Sequence, residues 1–78
     1  MNHFVISYIA EIDKHTYTGV TGLQTKLHSS VSTMRKELET HYKGSHQSSK
    51  VKILIVEERI VSAEEFQKLW QSFSYKRN

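Results

Sequence analysis

The chain has 78 residues, and its 11 Lys and Arg against 8 Asp and Glu give a formal net charge of +3. A chain this short forms one domain that buries only about 60% of its unfolded surface, so its core must be compact. The absence of cysteine excludes disulfides and thiolate metal sites. No apolar run reaches the roughly 18 residues that a membrane span needs, so we expect a cytoplasmic protein without a membrane partner.

The first segment predicts a strand. Residues 3–12 place apolar side chains on both faces, as in a central strand, with Phe4, Ile6 and Tyr8 on one face and Val5 and Ile9 on the other. A short polar stretch, residues 13–16, separates them from a second strand over residues 17–21, and the two strands form a predicted hairpin. Gly19 and Gly22 weaken the end of the second strand and allow another group to approach its backbone closely.

A long amphipathic helix is predicted over residues 23–43, because apolar residues recur at helical spacing at Leu27, Val31, Met34 and Leu38. Gly44 suits the position just past the end of this helix. Residues 44–49 are polar and rich in serine, which predicts an exposed loop.

The aliphatic run at residues 51–56 predicts a third strand that is buried on both faces. Ser62 and Glu65 then have the spacing of a helix-capping box. The second helix carries one apolar stripe formed by Phe66, Leu69, Trp70 and Phe73. Residues 1–74 therefore form one domain, and residues 75–78 form a basic C-terminal tail that we expect to fray.

The predicted fold class is α+β, with the element order β-β-α-β-α. A helix that joins the second strand to the third is a crossover, which makes these two strands parallel. Placing the first strand between them, antiparallel to both, allows every apolar face to be covered. The prediction is a three-stranded, mainly antiparallel sheet in the order 2-1-3, covered by helices.

Catalytic and metal-binding patterns find little support. The five histidines are scattered over predicted strand, turn, helix and loop, and no pair has zinc-site spacing. The acidic pairs Glu57-Glu58 and Glu64-Glu65 suit a hard metal ion, but a charged strand end and a helix N-terminus explain them better. No glycine-rich loop matches a phosphate-binding motif. We expect no catalytic residues, no metal and no cofactor.

Basic and aromatic residues suggest a polyanionic partner. Lysines near one edge, together with tyrosines, provide phosphate contacts and stacking platforms for nucleic acid, although ordinary solvation also explains such lysines. Tyr42 and Tyr75 are further candidate stacking residues beside Lys36 and Lys43. The candidate nucleic-acid-binding residues are Tyr17, Lys26, His46, Lys50, Lys52, Lys76 and Arg77.

Several segments resemble the GIY-YIG nuclease core, a three-stranded antiparallel sheet flanked by helices. Phe4-Val5-Ile6 stands at the first tripeptide of that family, and ten residues separate it from Tyr17-Thr18-Gly19 at the second. Residues 43–46 resemble the loop after the family's first helical region. Residues 51–58 and 62–65 resemble its third strand and last helix.

The departures from the family pattern argue against cleavage. Phe4 and Ile6 replace the glycine and tyrosine of the first tripeptide, so only Tyr17 persists. The family's helical arginine falls near Lys26, and its metal-binding glutamate falls near Lys68 or Leu69. A lysine lacks the bidentate fork that arginine offers a phosphate, and loss of the carboxylate removes the anchor of the metal.

Three functional hypotheses follow. The leading one is a small, non-catalytic nucleic-acid-binding module on a GIY-YIG-like scaffold. The second is a protein-interaction module, either a regulator or inhibitor of the kind that small phage and plasmid proteins supply, or a homo-oligomer joined through a strand edge. The third is a metal-dependent endonuclease in which Tyr17 assists the base and Glu64 or Glu65 is a displaced metal ligand.

Overall fold

The computed structural model describes residues 1–26, 31–47 and 50–76. Its elements, in chain order, are β1 (Asn2–Ile12), β2 (His15–Thr25), α1 (Val31–His46), β3 (Val51–Val61), α2 (Ala63–Leu69) and a 3-10 turn (Trp70–Ser72). The three strands form one sheet in the order β2-β1-β3, and β1 is antiparallel to both neighbours. The predicted α+β class, element order and strand order are therefore confirmed.

The β1–β2 hairpin is tighter and longer than the sequence predicts. Ile12 lies opposite His15, so the turn consists only of Asp13 and Lys14. Asp13 has a φ of 57°, a left-handed conformation that aspartate tolerates better than most residues. β2 continues to Thr25, which places Leu23 in the sheet rather than in a helix.

The bounds predicted for the first helix are wrong at both ends. α1 begins at Val31 and continues to His46, and Leu27, which is predicted as an apolar position of this helix, lies outside the described residues. Gly44 lies inside the helix rather than beyond its end. The left-handed residue that follows α1 is Gln47, with a φ of 50°, so the helix ends three residues later than its glycine indicates.

The larger core lies between α1 and one face of the sheet, which we call the α1 face. Met34 and Leu38, four residues apart on α1, are fully buried there. They pack on alternate residues of β1 and on neighbours from the outer strands, namely Phe4, Ile6, Tyr8, Ala10, Ile12, Leu23 and Ile53. β1 therefore carries most of this core, as expected for the central strand.

A smaller core lies on the opposite face, which we call the α2 face. Phe66 and Phe73 pack there against Val5 and Val61. The predicted cap is confirmed, because the Ser62 hydroxyl accepts a 3.1 Å hydrogen bond from the backbone N–H of Glu65. The predicted stripe also holds, with Leu69 and Trp70 packed against this cluster.

The prediction that β3 is buried on both faces is wrong. β3 is an edge strand in the described part of the chain, and Leu54 and Val56 of the aliphatic run are 52% and 60% exposed. Val56 has no partner on β1, because the register shifts between Ser7 and Tyr8. α2 has only seven residues, about 10 Å of helix, and it covers one end of a strand more than 30 Å long.

The segment after the 3-10 turn lies along the outer edge of β2. The Ser74 N–H donates a 2.7 Å hydrogen bond to the Val20 carbonyl, and Tyr75 forms a parallel bridge with Thr21. The Thr21 hydroxyl also donates to the Tyr75 carbonyl at 2.6 Å. The start of the predicted tail is thus attached to the sheet. None of the helices in residues 1–26, 31–47 and 50–76 has the length and apolarity needed to cross a membrane.

Candidate nucleic-acid interface

Two of the predicted site residues, Tyr17 and His46, are brought together by β2 and the end of α1. Tyr17 lies opposite Ala10 on the α1 face of the sheet. Its ring lies 5.5 Å from that of His46, measured between centroids, and its side chain remains exposed. This contact depends on the last turn of α1, which the sequence predicts as loop. A helix that ended before Gly44 would not place His46 beside β2.

Lys50 and Lys52 lie at the same end of the sheet. The Asp13 N–H donates a 3.3 Å hydrogen bond to the Lys50 carbonyl, which attaches the start of β3 to the hairpin turn. Lys52 lies opposite Glu11 in the β1–β3 register. Lys14 in the turn and Lys43 in the last turn of α1 complete a group that we call the basic end, defined as Lys14, Lys43, Lys50 and Lys52.

The basic end has a net positive charge. Its four lysines are all exposed, and the two carboxylates that share this end of the sheet are Glu11 and Asp13. The acidic pairs lie elsewhere, toward the far end of β3 and at the start of α2. The basic end therefore carries most of the overall charge of +3, and opposite charges nearly balance over the rest of the chain.

The other predicted residues do not join this group. Lys26 follows the last residue of β2, which pairs with Asn2 at the opposite end of the sheet. Lys76 follows Tyr75 at the outer edge of β2 and lines a separate cleft. Arg77 lies outside the described residues. Of the six candidates within the described residues, four thus lie at one end of the sheet, and Lys26 and Lys76 lie apart from them.

An open cleft of about 780 Å³ separates α1 from the C-terminal segment. Basic, acidic and aromatic side chains all line it, namely Lys36, Glu37, Thr40, His41, Ser74, Tyr75 and Lys76. The ring of His41 lies against that of Tyr75, with the centroids 4.7 Å apart. Tyr75 and Lys36 are candidates from the sequence, whereas His41 was missed because its partner is distant in the chain.

A row of aromatic and imidazole rings connects the basic end to this cleft. His15 contacts Tyr17, Tyr17 contacts His46, and His46 contacts Tyr42, with centroid separations of 6.5, 5.5 and 5.8 Å. Tyr42 contacts His41 at 5.0 Å, and His41 contacts Tyr75. We call these six residues the ring row. Three of its members, His41, Tyr42 and His46, belong to α1. Their spacing can be read from the sequence, but only the contact with Tyr17 on β2 shows that they form part of a row.

Tyr8 lies beneath the middle of the ring row. Its hydroxyl shares a 2.7 Å hydrogen bond with that of Tyr42, and its side chain is almost completely buried. Burial raises the pKa of the Tyr8 phenol well above its ordinary value of 10.0, and the hydrogen bond and charge interaction with Tyr42 add to this effect. Tyr8 therefore stays neutral and fixes the ring of Tyr42 in position.

Glu64 and Glu65 lie away from Tyr17, each near a basic side chain. Glu64 forms an ion pair with Lys68, and Glu65 lies 3.9 Å from Arg59. Both glutamates belong to α2, on the face of the sheet opposite Tyr17. Within the three described ranges, no three histidine or carboxylate side chains are grouped closely enough to hold a metal ion.

Comparisons of the chain with protein families, with curated proteins and with solved structures found no match.

Proposed function

We propose that this protein is a small, non-catalytic nucleic-acid-binding module that contacts its partner through the basic end. The observation that carries the proposal is that Lys14, Lys43, Lys50 and Lys52 lie at the same end of the sheet as the exposed rings of Tyr17 and His46. Lysine ammonium groups neutralise phosphates, and exposed rings stack on bases. A surface that combines both groups suits a polynucleotide better than a simple anion.

The proposal retains a GIY-YIG-like scaffold without cleavage. The strand order β2-β1-β3 is compatible with such a scaffold. Lys26 stands at the arginine position, and Lys68 at the glutamate position is paired with Glu64. A lysine at either place supplies neither a bidentate phosphate clamp nor a metal ligand, which favours binding over hydrolysis.

The test compares two double variants of equal net charge. Lys50→Gln/Lys52→Gln removes two charges from the basic end, and Lys26→Gln/Lys68→Gln removes two charges away from it. Fluorescence anisotropy with labelled DNA and RNA at several salt concentrations measures both affinity and its salt dependence. We expect the first variant to bind about tenfold more weakly and to show a shallower salt slope, since each lost phosphate contact lowers the slope by about 0.7 to 0.9.

Two results would overturn the proposal. One is the absence of any binding by the unaltered protein at low ionic strength. The other is equal loss of affinity in both double variants, which would show that net charge alone attracts the polyanion. Incubation of plasmid DNA with the protein and Mg²⁺ or Mn²⁺ tests the nuclease alternative, and we expect the plasmid to remain intact.

A second candidate function is self-association through β3. Among the described elements β3 pairs only with β1, so its outer edge presents backbone groups to solvent beside the exposed Leu54 and Val56. Ile9 and Thr18 extend this surface on the α2 face, where α2 does not reach. An edge strand next to bare apolar side chains favours strand addition by a second copy of the chain.

Light scattering coupled to size-exclusion chromatography tests this second function over a range of concentrations. Self-association predicts a mass that rises from one to two chains, and Leu54→Lys should lower the dimer fraction by placing a charge at the interface. Lys68→Gln, on α2, is the control and should leave the mass unchanged. A single-chain mass at every concentration would exclude the second function.

A further inference from the structure

We infer that the preferred partner is single-stranded nucleic acid, bound along the ring row from the basic end toward the cleft at Tyr75. This inference rests on the proposed function and adds the strand state of the partner. It comes from a separate observation, namely that six rings from β2, α1 and the C-terminal segment follow one another across a single surface.

The exposure of the rings favours unpaired bases. His15, His41 and His46 are exposed, Tyr17 is 40% exposed, and Tyr42 and Tyr75 are half-buried. The bases of a duplex are stacked on one another and show only their edges in the grooves, so they cannot stack on protein rings. The bases of a single strand are free to do so, and such stacking tolerates any sequence.

The positive charges at the two ends of the ring row favour a nucleic-acid strand whose phosphate backbone runs along the row. The basic end lies at the end of the sheet where the row starts, with Lys14 next to His15 in the chain, and Lys36 and Lys76 line the cleft where the row ends. Lysines at both ends of the row match the phosphates on either side of stacked bases. Glu37 also lines the cleft, so we expect the base to enter it and the phosphates to remain near the two lysines.

Two contacts with the sheet hold the ring row in position. The Tyr8–Tyr42 hydrogen bond of 2.7 Å joins the middle of the row to the core. The bridge between Tyr75 and Thr21, with its 2.6 Å hydrogen bond, holds the other end against β2. The central and terminal rings are thus positioned before the partner binds, which lowers the conformational cost of stacking.

The first experiment measures anisotropy with an oligothymidylate of about 12 nucleotides, a length within the site sizes of known stacking modules. The matched probes are an oligouridylate and a DNA duplex of equal length. We expect both single strands to bind at least about tenfold more tightly than the duplex, because only they can stack on the rings. A duplex that binds as tightly as the single strands would overturn the inference.

Ring variants test the row itself. Tyr17→Leu should weaken binding to oligothymidylate about tenfold, the effect typical of a lost stacking ring, and Tyr17→Phe should retain it. His41→Gln should also weaken binding. The control is His3→Gln, which removes an imidazole that contacts Phe66 on the opposite face and should have no effect.

Nuclear magnetic resonance provides a readout that does not depend on variants. Adding oligothymidylate should shift the resonances of His41 and Tyr75 and leave the indole N–H of Trp70, on the α2 face, unmoved. Shifts confined to the basic end, or ring variants that bind as tightly as the unaltered protein, would overturn the inference. Failure of the inference is distinct from failure of the proposed function, which requires that no probe binds or that both charge variants behave alike.

Discussion

At the scale of single residues, the two glycines that weaken β2 as a strand are required by the core. A Cβ atom added to Gly22 would lie 2.5 Å from the ring of Phe73 and 2.6 Å from that of Phe66. At Gly19 an added Cβ would meet the hydroxyl of Tyr8. At each glycine, the group that approaches the backbone closely is therefore an aromatic side chain of the protein itself.

Gly22→Ala and Gly44→Ala should have opposite effects on stability. The first forces the rings of Phe66 and Phe73 apart, and such overpacking costs about 1 to 3 kcal/mol. The second adds a methyl group in open space on an exposed helix, which stabilises by about 0.5 to 1 kcal/mol. Urea denaturation of both variants measures the difference. A neutral Gly22→Ala would contradict the close packing of α2 on β2.

The buried Tyr8 gives stability a dependence on alkaline pH. Its folded-state pKa lies above the value of 10.0 expected when unfolded, so the folded protein holds a proton that the unfolded chain releases. The unfolding free energy should therefore fall as pH rises above about 10, by at most about 1.4 kcal/mol per pH unit for one proton. Below that pH the contribution of Tyr8 is constant.

Denaturation between pH 8 and pH 11 measures this effect. Tyr8→Phe should flatten the alkaline decline, although at neutral pH it costs about 1 kcal/mol because the Tyr42 hydroxyl loses its partner. Tyr17→Phe changes an exposed ring and should keep the decline. Equal slopes for the unaltered protein and Tyr8→Phe would show that another group is responsible.

At the scale of elements, α2 depends on its cap because it is too short to be stable alone. Its seven residues are far fewer than the roughly 12 that an isolated helix needs to be even marginally stable in water. Ser62 caps its first turn, and Phe66 fixes its inner face against Val5. Local hydrogen bonding and tertiary packing thus act together on the one helix that covers the α2 face.

Ser62→Ala should destabilise the protein by about 1 kcal/mol, because the Glu65 N–H loses its acceptor. Ser62→Asp keeps an acceptor and adds a charge that the helix N-terminus favours, so it should be neutral or slightly stabilising. Thermal unfolding followed by circular dichroism compares the three proteins. Equal melting temperatures for the two variants would show that the cap contributes nothing.

The sequence predicted the number, type and order of the elements because each is marked by local periodicity or capping. It could not predict where α1 begins and ends, since Leu23 suits a strand or a helix equally well, and the left-handed residue after α1 is Gln47 rather than Gly44. The exposed face of β3 was missed for another reason. The aliphatic run of β3 matches the pattern of a buried strand. Leu54 and Val56 are nevertheless exposed, because α2 is too short to cover them.

The candidate site was predicted in part for the same physical reasons. Tyr17, Lys50 and Lys52 could be proposed from residue type alone, and the sheet brings them to one end. His41 and the continuity of the ring row depend on contacts of α1 with Tyr17 and Tyr75, which no local pattern encodes. Contacts between residues distant in the chain are set by packing, so the cluster is visible only in three dimensions.

At the scale of the whole molecule, the sheet is asymmetric, because the outer edges of its two outer strands have different hydrogen-bond partners. β2 receives Ser74 and Tyr75 along its outer edge, whereas β3 pairs only with β1 among the described residues. The ring row lies on the α1 face of the sheet, and the exposed apolar surface formed by Leu54 and Ile9 lies on the α2 face. Nucleic-acid binding and self-association would therefore use separate surfaces.

Amide hydrogen exchange tests this asymmetry. β1 is bonded on both sides, so its amides should exchange most slowly, whereas alternate amides of β3 point away from β1 and should exchange rapidly in a dilute sample. If a second copy adds to β3, those same amides should become protected as the protein concentration rises. The β2 amide of Val20, beside Ser74, provides the internal control and should not respond to concentration. Uniform slow exchange along β3 in the most dilute sample would contradict its position at the edge, because full protection requires a bonded strand on both sides.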